Sequence, residues 1–390
     1  MRTIAYYTFG DMLPTDVGNK KAMFEYFKYL ASRKDIHLVL VVIGLIPLKH
    51  QEVYRGLGAE LRIIPPHGRW SWWEILNKIV SRLGFDMLRT YFSGLGYRKA
   101  FREACLDADV ILMTYAAWFE LLPAKILRDK TIVLTHDLFF YRRASLLGSD
   151  TLRKRLNLKL NRLLEIRTLK RFRKIAVLAD YEQTLLEQNG VRRENIIQIG
   201  MPLSLPPLPS YTVPFSNRQY DFLFVASKGY ENQQTVRCFI ERVVPLLPDR
   251  HLAFALAGGI SQTADTSGAP DHMEFVRLGF VPDLEPVFAQ SRIGVGTVLH
   301  GSGIKVKVVE MAMHNLPLIV TSKGGEGIPL VGEGFVNIDT EKDDVLKARL
   351  LNWIDNPEIA QRQGMETGQC VAEAFAPSRV LAGLLNEILK

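Results

Sequence analysis

The run Gly301-Ser302-Gly303-Ile304-Lys305-Val306-Lys307-Val308-Val309-Glu310 constrains this chain more than any other stretch. With Asn315, Pro317 and Leu318-Ile319-Val320 behind it, the run reads as a glycine loop, a helix from about Ile304 to His314 and a strand. A second turn follows around Gly324, Gly325, Glu326 and Gly327. Gly301 and Gly303 permit backbone angles closed to other residues, and the free N–H groups of the helix's first turn lie just beyond them. Such a helix start attracts phosphate. Lys305 and Lys307 add positive charge beside those donors, and Glu310 sets a carboxylate acceptor deeper along the helix. Cation first and carboxylate second suits a nucleoside diphosphate, with its phosphates at the helix start and its ribose hydroxyls further in. At the other end Asn315 suits a left-handed closing residue, and Pro317 forbids continuation.

The rest of the chain supplies a large α/β frame for that loop. Its 390 residues, 47% of them hydrophobic, suffice for two ordinary domains. Apolar runs at 3–8, 37–43, 60–64, 109–115, 130–135 and 174–179 alternate with helical or loop sequence, which indicates a doubly wound parallel sheet. A proline-rich stretch from Gly200 through Pro202, Pro206, Pro207 and Pro209 cannot continue a sheet or helix and reads as a linker. Beyond it the alternation resumes at 220–226, 251–258, 274–278 and 293–296. The last 50 residues look helical, with breaks at Pro357 and Pro377. The three cysteines, Cys105, Cys238 and Cys370, have no metal-ligand spacing and read as buried thiols of a reducing compartment. No carboxylate cluster suits a metal. The opening strand is too short for a signal sequence, and the longest apolar run falls short of a membrane span. A cytoplasmic protein is expected, with peripheral contact at the inner face of a membrane as one reading.

Charge divides the chain. Residues 1–200 hold 33 Lys and Arg against 20 Asp and Glu, whereas residues 201–390 hold 16 against 21. Two segments carry the basic character. Arg69 to Leu76, with Trp70, Trp72 and Trp73, leads into a basic and aliphatic stretch; it is an interfacial patch or an extra helix with its tryptophans in the core. Asp150–Lys174 holds ten Lys and Arg, with Leu152, Leu156, Leu160, Leu163 and Phe172 at near-helical spacing, so that one face packs and the rest stays charged. It is a solvated surface helix or a contact for anionic lipid. No base-reading motif points to nucleic acid. Thr135-His136-Asp137 follows a predicted strand at the end where ligands of open α/β sheets collect, and serves either a ligand or a structural loop.

The 301–327 run resembles the donor-site signature of GT-B glycosyltransferases, particularly the large retaining, nucleotide-sugar-dependent family of group 1 glycosyl transferases. The resemblance implies two Rossmann-like doubly wound domains facing each other across a cleft: residues 1–200 for the acceptor, 201–219 as linker, 220–375 for the donor, and 376–390 as a helix crossing back. It implies a metal-independent, retaining, hexosyltransferase-type enzyme without cofactor. The reaction expected is transfer from a nucleoside-diphosphate sugar to a glycan or lipid-linked acceptor in surface polysaccharide or glycolipid assembly. Under it Lys305 or Lys307 contacts the diphosphate, Glu310 the ribose, and Gly301, Ser302, Gly303, Glu326 and Gly327 line the donor. Lys228 is a secondary candidate beside an exposed-loop reading, and Gly18 marks the acceptor-side loop. His136 sits near the transferred sugar, with His136 or Asp137 as base if the reaction inverts. The pattern departs from the commonest form at Ser302, where many members have a glutamate. A GT-B sugar-nucleotide epimerase and a non-catalytic GT-B partner subunit are the alternatives.

Overall fold

The computed structural model describes residues 1–15, 18–67, 71–82, 88, 90–122, 124–136, 138–147, 151–204, 213–301 and 303–390. Of the residues named above, Arg69, Trp70, Asp137, Asp150, Pro206, Pro207, Pro209 and Ser302 lie outside the described residues. The chain forms two compact units, Met1–Pro202 with Pro377–Lys390, and Leu203–Ala376.

In the first unit the apolar runs become β1 (Arg2–Phe9), β2 (Ile36–Ile43), β3 (Glu60–Ile64), β4 (Val110–Thr114), β5 (Thr131–Leu134), β6 (Lys174–Val177) and β7 (Ile196–Gln198). All pair in parallel, in the order β3-β2-β1-β4-β5-β6-β7. Parallel neighbours need long crossovers. These contain α1 (Gly18–Ala31), α2 (Leu48–Gly56), α3 (Trp72–Arg82), α4 (Tyr91–Ala104), α5 (Lys125–Asp129), α6 (Phe139–Leu147), α7 (Leu152–Leu169) and α8 (Asp180–Gln188). The chain steps outward from β1 to β3 and then returns to β4 on the other side of β1. Right-handed crossovers therefore put the helices after β3 on the face opposite α1 and α2. On that face Tyr7 meets Phe101 and Trp118 edge to face, and Phe119 meets Phe172 likewise, within one buried cluster.

The second unit runs β8 (Tyr220–Val225), α9 (Tyr230–Arg242), β9 (Leu252–Ala257), α10 (Ile260–Thr263), β10 (Met273–Gly279), α11 (Glu285–Ala289), β11 (Ser291–Gly296), α12 (Val306–Met313), β12 (Leu318–Val320), β13 (Phe335–Asn337), α13 (Asp343–Asp355) and α14 (Pro357–Phe375). Its parallel sheet has the order β10-β9-β8-β11-β12-β13. Phe222 meets Phe239 and Phe254 edge to face, and the latter two rings pack tilted against each other. The described parts of 203–219 belong to this unit: the Leu203 N–H donates to the Phe375 carbonyl at 3.0 Å, and Arg292 donates to the carbonyl of buried Phe215 at 2.9 Å. After α14 the chain returns to the first unit as α15 (Pro377–Val380) and α16 (Ala382–Leu389). Pro357 and Pro377 open helices, because their fixed φ suits the first helical position, where no N–H is needed.

The expectation of three buried thiols is corrected. Cys105 and Cys238 are buried, but Cys370 is exposed, since Gly368 and Val371 take the inward positions of α14.

Candidate functional site

The sheet order of the second unit fixes where a ligand can sit. From β8 the chain goes to β9 and β10 on one side, then restarts at β11 on the other, and a crevice opens beyond the carboxyl ends of β8 and β11. The loops at 226–229 and 297–305 leave the sheet there. Missing side chains bring α12 close to this edge. A Cβ on Gly294 would stand 2.9 Å from the Met311 sulfur, and one on Gly296 would stand 2.7 Å from Val308 Cγ2. From the far side, a Cβ on Gly368 would stand 2.4 Å from the Ala312 carbonyl oxygen, and one on Gly364 would stand 2.3 Å from that of Asn315. The helix is held between β11 and α14, so its first turn has a fixed position.

That first turn is cationic. Gly301 and Gly303 have φ of 109° and 72°, open only to glycine without strain, and they turn the chain into Lys305, the residue before α12. The buried Lys305 donates to the Gly303 carbonyl at 2.5 Å and lies 3.9 Å from Glu326. Lys323 donates to the same Glu326 carboxylate at 2.7 Å. Lys307 spans the crevice, donating to Asn232 Oδ1 on α9 at 2.5 Å, with its ammonium 4.7 Å from the centre of the Phe224 ring. Its pKa is lowered to about 8, first by burial and then by the Lys305 charge, with Glu231 opposing the shift. A desolvated ammonium beside a second cation is stabilised by an incoming anion.

The second turn presses on the end of β11, since a Cβ on Gly324 would stand 2.0 Å from the Gly296 carbonyl oxygen. Gly327, at φ 75°, closes it after Glu326. Glu310 is partly exposed four residues beyond Val306, about 6 Å along the axis at the helical rise. Lys228 is exposed in the loop after β8, where Gly259 approaches its backbone. Asn315 closes α12 at φ 62°. His314 has a structural place, donating or accepting at 3.0 Å with Glu285 and stacking on Phe288.

The first unit has the same reversal, between β1 and β4, with different chemistry at its carboxyl edge. Tyr115, after β4, and His136, after β5, have φ of 65° and 56°, a strained left-handed backbone for such side chains. His136 is buried, and among the described residues neither ring nitrogen has a hydrogen-bond partner. Its ring lies 6.0 Å from Tyr26 and 5.0 Å from Tyr115, centre to centre. Burial lowers its pKa to about 4, so it is neutral at pH 7 and a weak base. Strain and two unpaired nitrogens together mark a group kept for a ligand's hydrogen bonds. Gly18 is the first residue of α1, and its neighbour Asn19 donates to the Tyr115 hydroxyl at 3.0 Å. Nearby in the loop after β1, Asp11 accepts from Tyr54 at 2.6 Å and pairs with His50 Nδ1 at 2.5 Å.

Asn232, Tyr115 and the Asp11 cluster escape sequence reasoning. Asp11, His50 and Tyr54 are scattered polar residues without a common motif, and a positive φ at tyrosine has no sequence signature. Among the described residues no three His, Cys, Asp or Glu side chains gather as a metal site requires.

Comparison with known proteins places this geometry. Residues 219–356 match the family described as Glycosyl transferases group 1. No curated protein sequence matches the chain. Among solved structures it is similar to HepE of Anabaena in complex with UDP-glucose, at 12% identity and TM-score 0.66 over 100% of both chains. It is also similar to TarM, at 8% identity and TM-score 0.68 over 100% of this chain and 99% of that one. Sucrose-phosphate synthase from Thermosynechococcus elongatus gives 13% identity and TM-score 0.62, with the same coverage. The chain has the GT-B fold of these solved structures, and residues 219–356 of the unit that carries these cations match the group 1 glycosyl transferases.

Proposed function

We propose that this protein transfers a sugar from a nucleoside-diphosphate sugar to a glycan or lipid-linked acceptor, with retention and without a metal. The observation that carries this reading is Lys307, a half-buried cation held at the reversal point of the sheet beside Lys305 and the open start of α12. As the bond between the sugar and the diphosphate breaks, negative charge grows on the departing phosphate. Two ammonium groups and the helix N–H groups are already in place to take it up. Glu310 accepts hydrogen bonds from ribose hydroxyls. Glu326, which sits between Lys305 and Lys323, exchanges part of its ion pairing with the donor. In the first unit His136, neutral at pH 7, positions a hydroxyl through its two ring nitrogens; proton abstraction is a poor task for a group that titrates near 4. HepE and TarM have been solved with UDP or UDP-glucose bound, which supports UDP-sugars as the first donors to test.

Product analysis separates the readings. Incubation with UDP-sugars should give sugar transfer only when a glycan or lipid-linked acceptor is added. A new sugar nucleotide formed from donor alone would replace transfer with epimerisation, and nucleotide binding without any product would indicate a partner subunit.

A further inference from the structure

We infer that the outer faces of α7 and α3 dock onto an anionic lipid surface. The pattern behind this is a reversal of ordinary amphipathicity. On α7 the inner face carries apolar Ile166 and Leu169 only in its last turn, and ahead of them it is polar: Asn161 and Glu165 are only 1% and 2% exposed. Glu165 accepts from the Phe139 and Phe140 N–H groups at 3.0 and 2.7 Å, and so caps the start of α6. Asn157 accepts from Arg143 at 2.9 Å. Leu152, Leu156, Leu160 and Leu163 point outward instead, between 37% and 84% exposed. The sequence expectation that these leucines pack is thereby overturned, because the polar groups that hold α6 occupy the inner side.

At about 100° per residue the four leucines fall within an arc of about 80°, and the exposed Arg155, Lys159 and Arg162 run along one border of it. The one acidic residue of α7 is Glu165, which is turned inward.

The same reversal occurs on α3. Asn77 is buried, donates to Ser93 and accepts from the Phe92 N–H at 3.0 Å, while Glu74 accepts from Ser93 at 2.7 Å. Trp72, 78% exposed, and Ile79 face out with Lys78 beside them. Helix α3 packs on α4, and α4 and α7 both pack against the 3₁₀ turn Ala116–Leu121, so the two reversed helices share one helical layer of the first unit.

A solvated helix turns its large apolar side chains in, and this surface turns them out on two separate elements. Three things favour lipid as the occupant. Leucine and tryptophan suit the boundary of headgroups and acyl chains, the flanking cations suit anionic headgroups, and a second copy would bring another unit of excess positive charge against the first. Among the described residues no helix is long and apolar enough to cross a membrane, so the contact is one of lying on the surface. The inference stands on the first unit alone and does not depend on the donor assignment.

Flotation with vesicles of phosphatidylglycerol and phosphatidylcholine tests it, with pure phosphatidylcholine vesicles as reference. The wild-type chain should float with the anionic vesicles, less so as salt rises. Leu156→Ser with Leu163→Ser should lower the partition at least about tenfold with an unchanged melting curve. Lys159→Gln with Arg162→Gln should weaken flotation and flatten its salt dependence, and decides the matter if the serine variant proves unstable. Wild-type protein that fails to float, or both variants floating like it, would overturn the inference. So would sedimentation showing a dimer that the serine substitutions dissolve, since a second copy would then cover the leucines.

Discussion

The two units place their sites by the same rule and fill them with opposite chemistry. In each, the first strand has two later strands on one side and the next on the other, so the crevice lies beyond β1 and β4 in one unit and β8 and β11 in the other. Beyond β8 and β11 stand Lys305 and Lys323 around one carboxylate, Glu326, with Lys307 held on Asn232. Beyond β1 and β4 stand Tyr26, Tyr115 and a neutral, unpaired His136, with Asp11 taken up by Tyr54 and His50. Strand order decides where the crevice opens, and loop side chains decide its charge. One crevice is cationic and the other neutral, which suits a polyanion in the first and hydroxyl groups in the second under the proposed function.

The largest expected effect tests whether the cationic turn depends on the seating of α12. Gly368→Val introduces a Cβ about where the Ala312 carbonyl oxygen lies within 2.4 Å. Overpacking of this kind should cost about 3 kcal/mol in urea unfolding and abolish nucleotide binding. Unchanged stability would mean that α14 does not fix the helix.

The second prediction concerns the neutral crevice. His136 has a folded pKa of about 4 against an ordinary 6.5, so between those values the unfolded chain binds more protons. Its contribution is therefore intact above pH 6.5 and is lost as pH falls toward 4, by up to roughly 3 kcal/mol. His136→Phe should remove that part of the acid sensitivity of unfolding. His136→Ala should lower turnover strongly and leave nucleoside diphosphate affinity unchanged. Equal acid sensitivity of wild type and His136→Phe would show that the histidine is not held neutral.

A smaller effect sharpens the anion side. Lys307 loses its proton around pH 8, so nucleotide affinity should fall several-fold as pH rises from 7 to 9. Lys307→Arg stays charged and should flatten the profile; an identical profile would assign the titration to another group. The smallest effect is expected of Ser302→Ala, several-fold in turnover, because a hydroxyl supplies one neutral hydrogen bond where a carboxylate would bind sugar hydroxyls more strongly. Complete loss of turnover would place the sugar against the 301–303 loop.

The contrast also explains what the sequence made legible. The strands were readable because parallel sheets demand continuous apolar runs, and β13 was missed because three residues show no periodicity. The cationic turn was readable because Gly301, Gly303, Lys305, Lys307 and Glu310 fall within ten residues. The neutral crevice was only half readable, since His136 follows a strand while Tyr115, Asn19 and the Asp11 cluster come together through folding. Helix α7 misled for a different reason. Its leucine spacing shows that a face exists and cannot show which way it points, and the inward turn of Glu165 and Asn161 depends on where α6 begins.

The central claim is that the α12 turn binds a nucleoside diphosphate, and titration calorimetry with UDP on wild-type, Lys307→Ala and Glu310→Ala protein tests it most directly. Wild-type protein should bind. Each variant should bind at least about tenfold more weakly, the loss expected for one charge-assisted hydrogen bond, with unfolding curves unchanged in the absence of ligand. Unaltered UDP affinity in both variants would contradict the account.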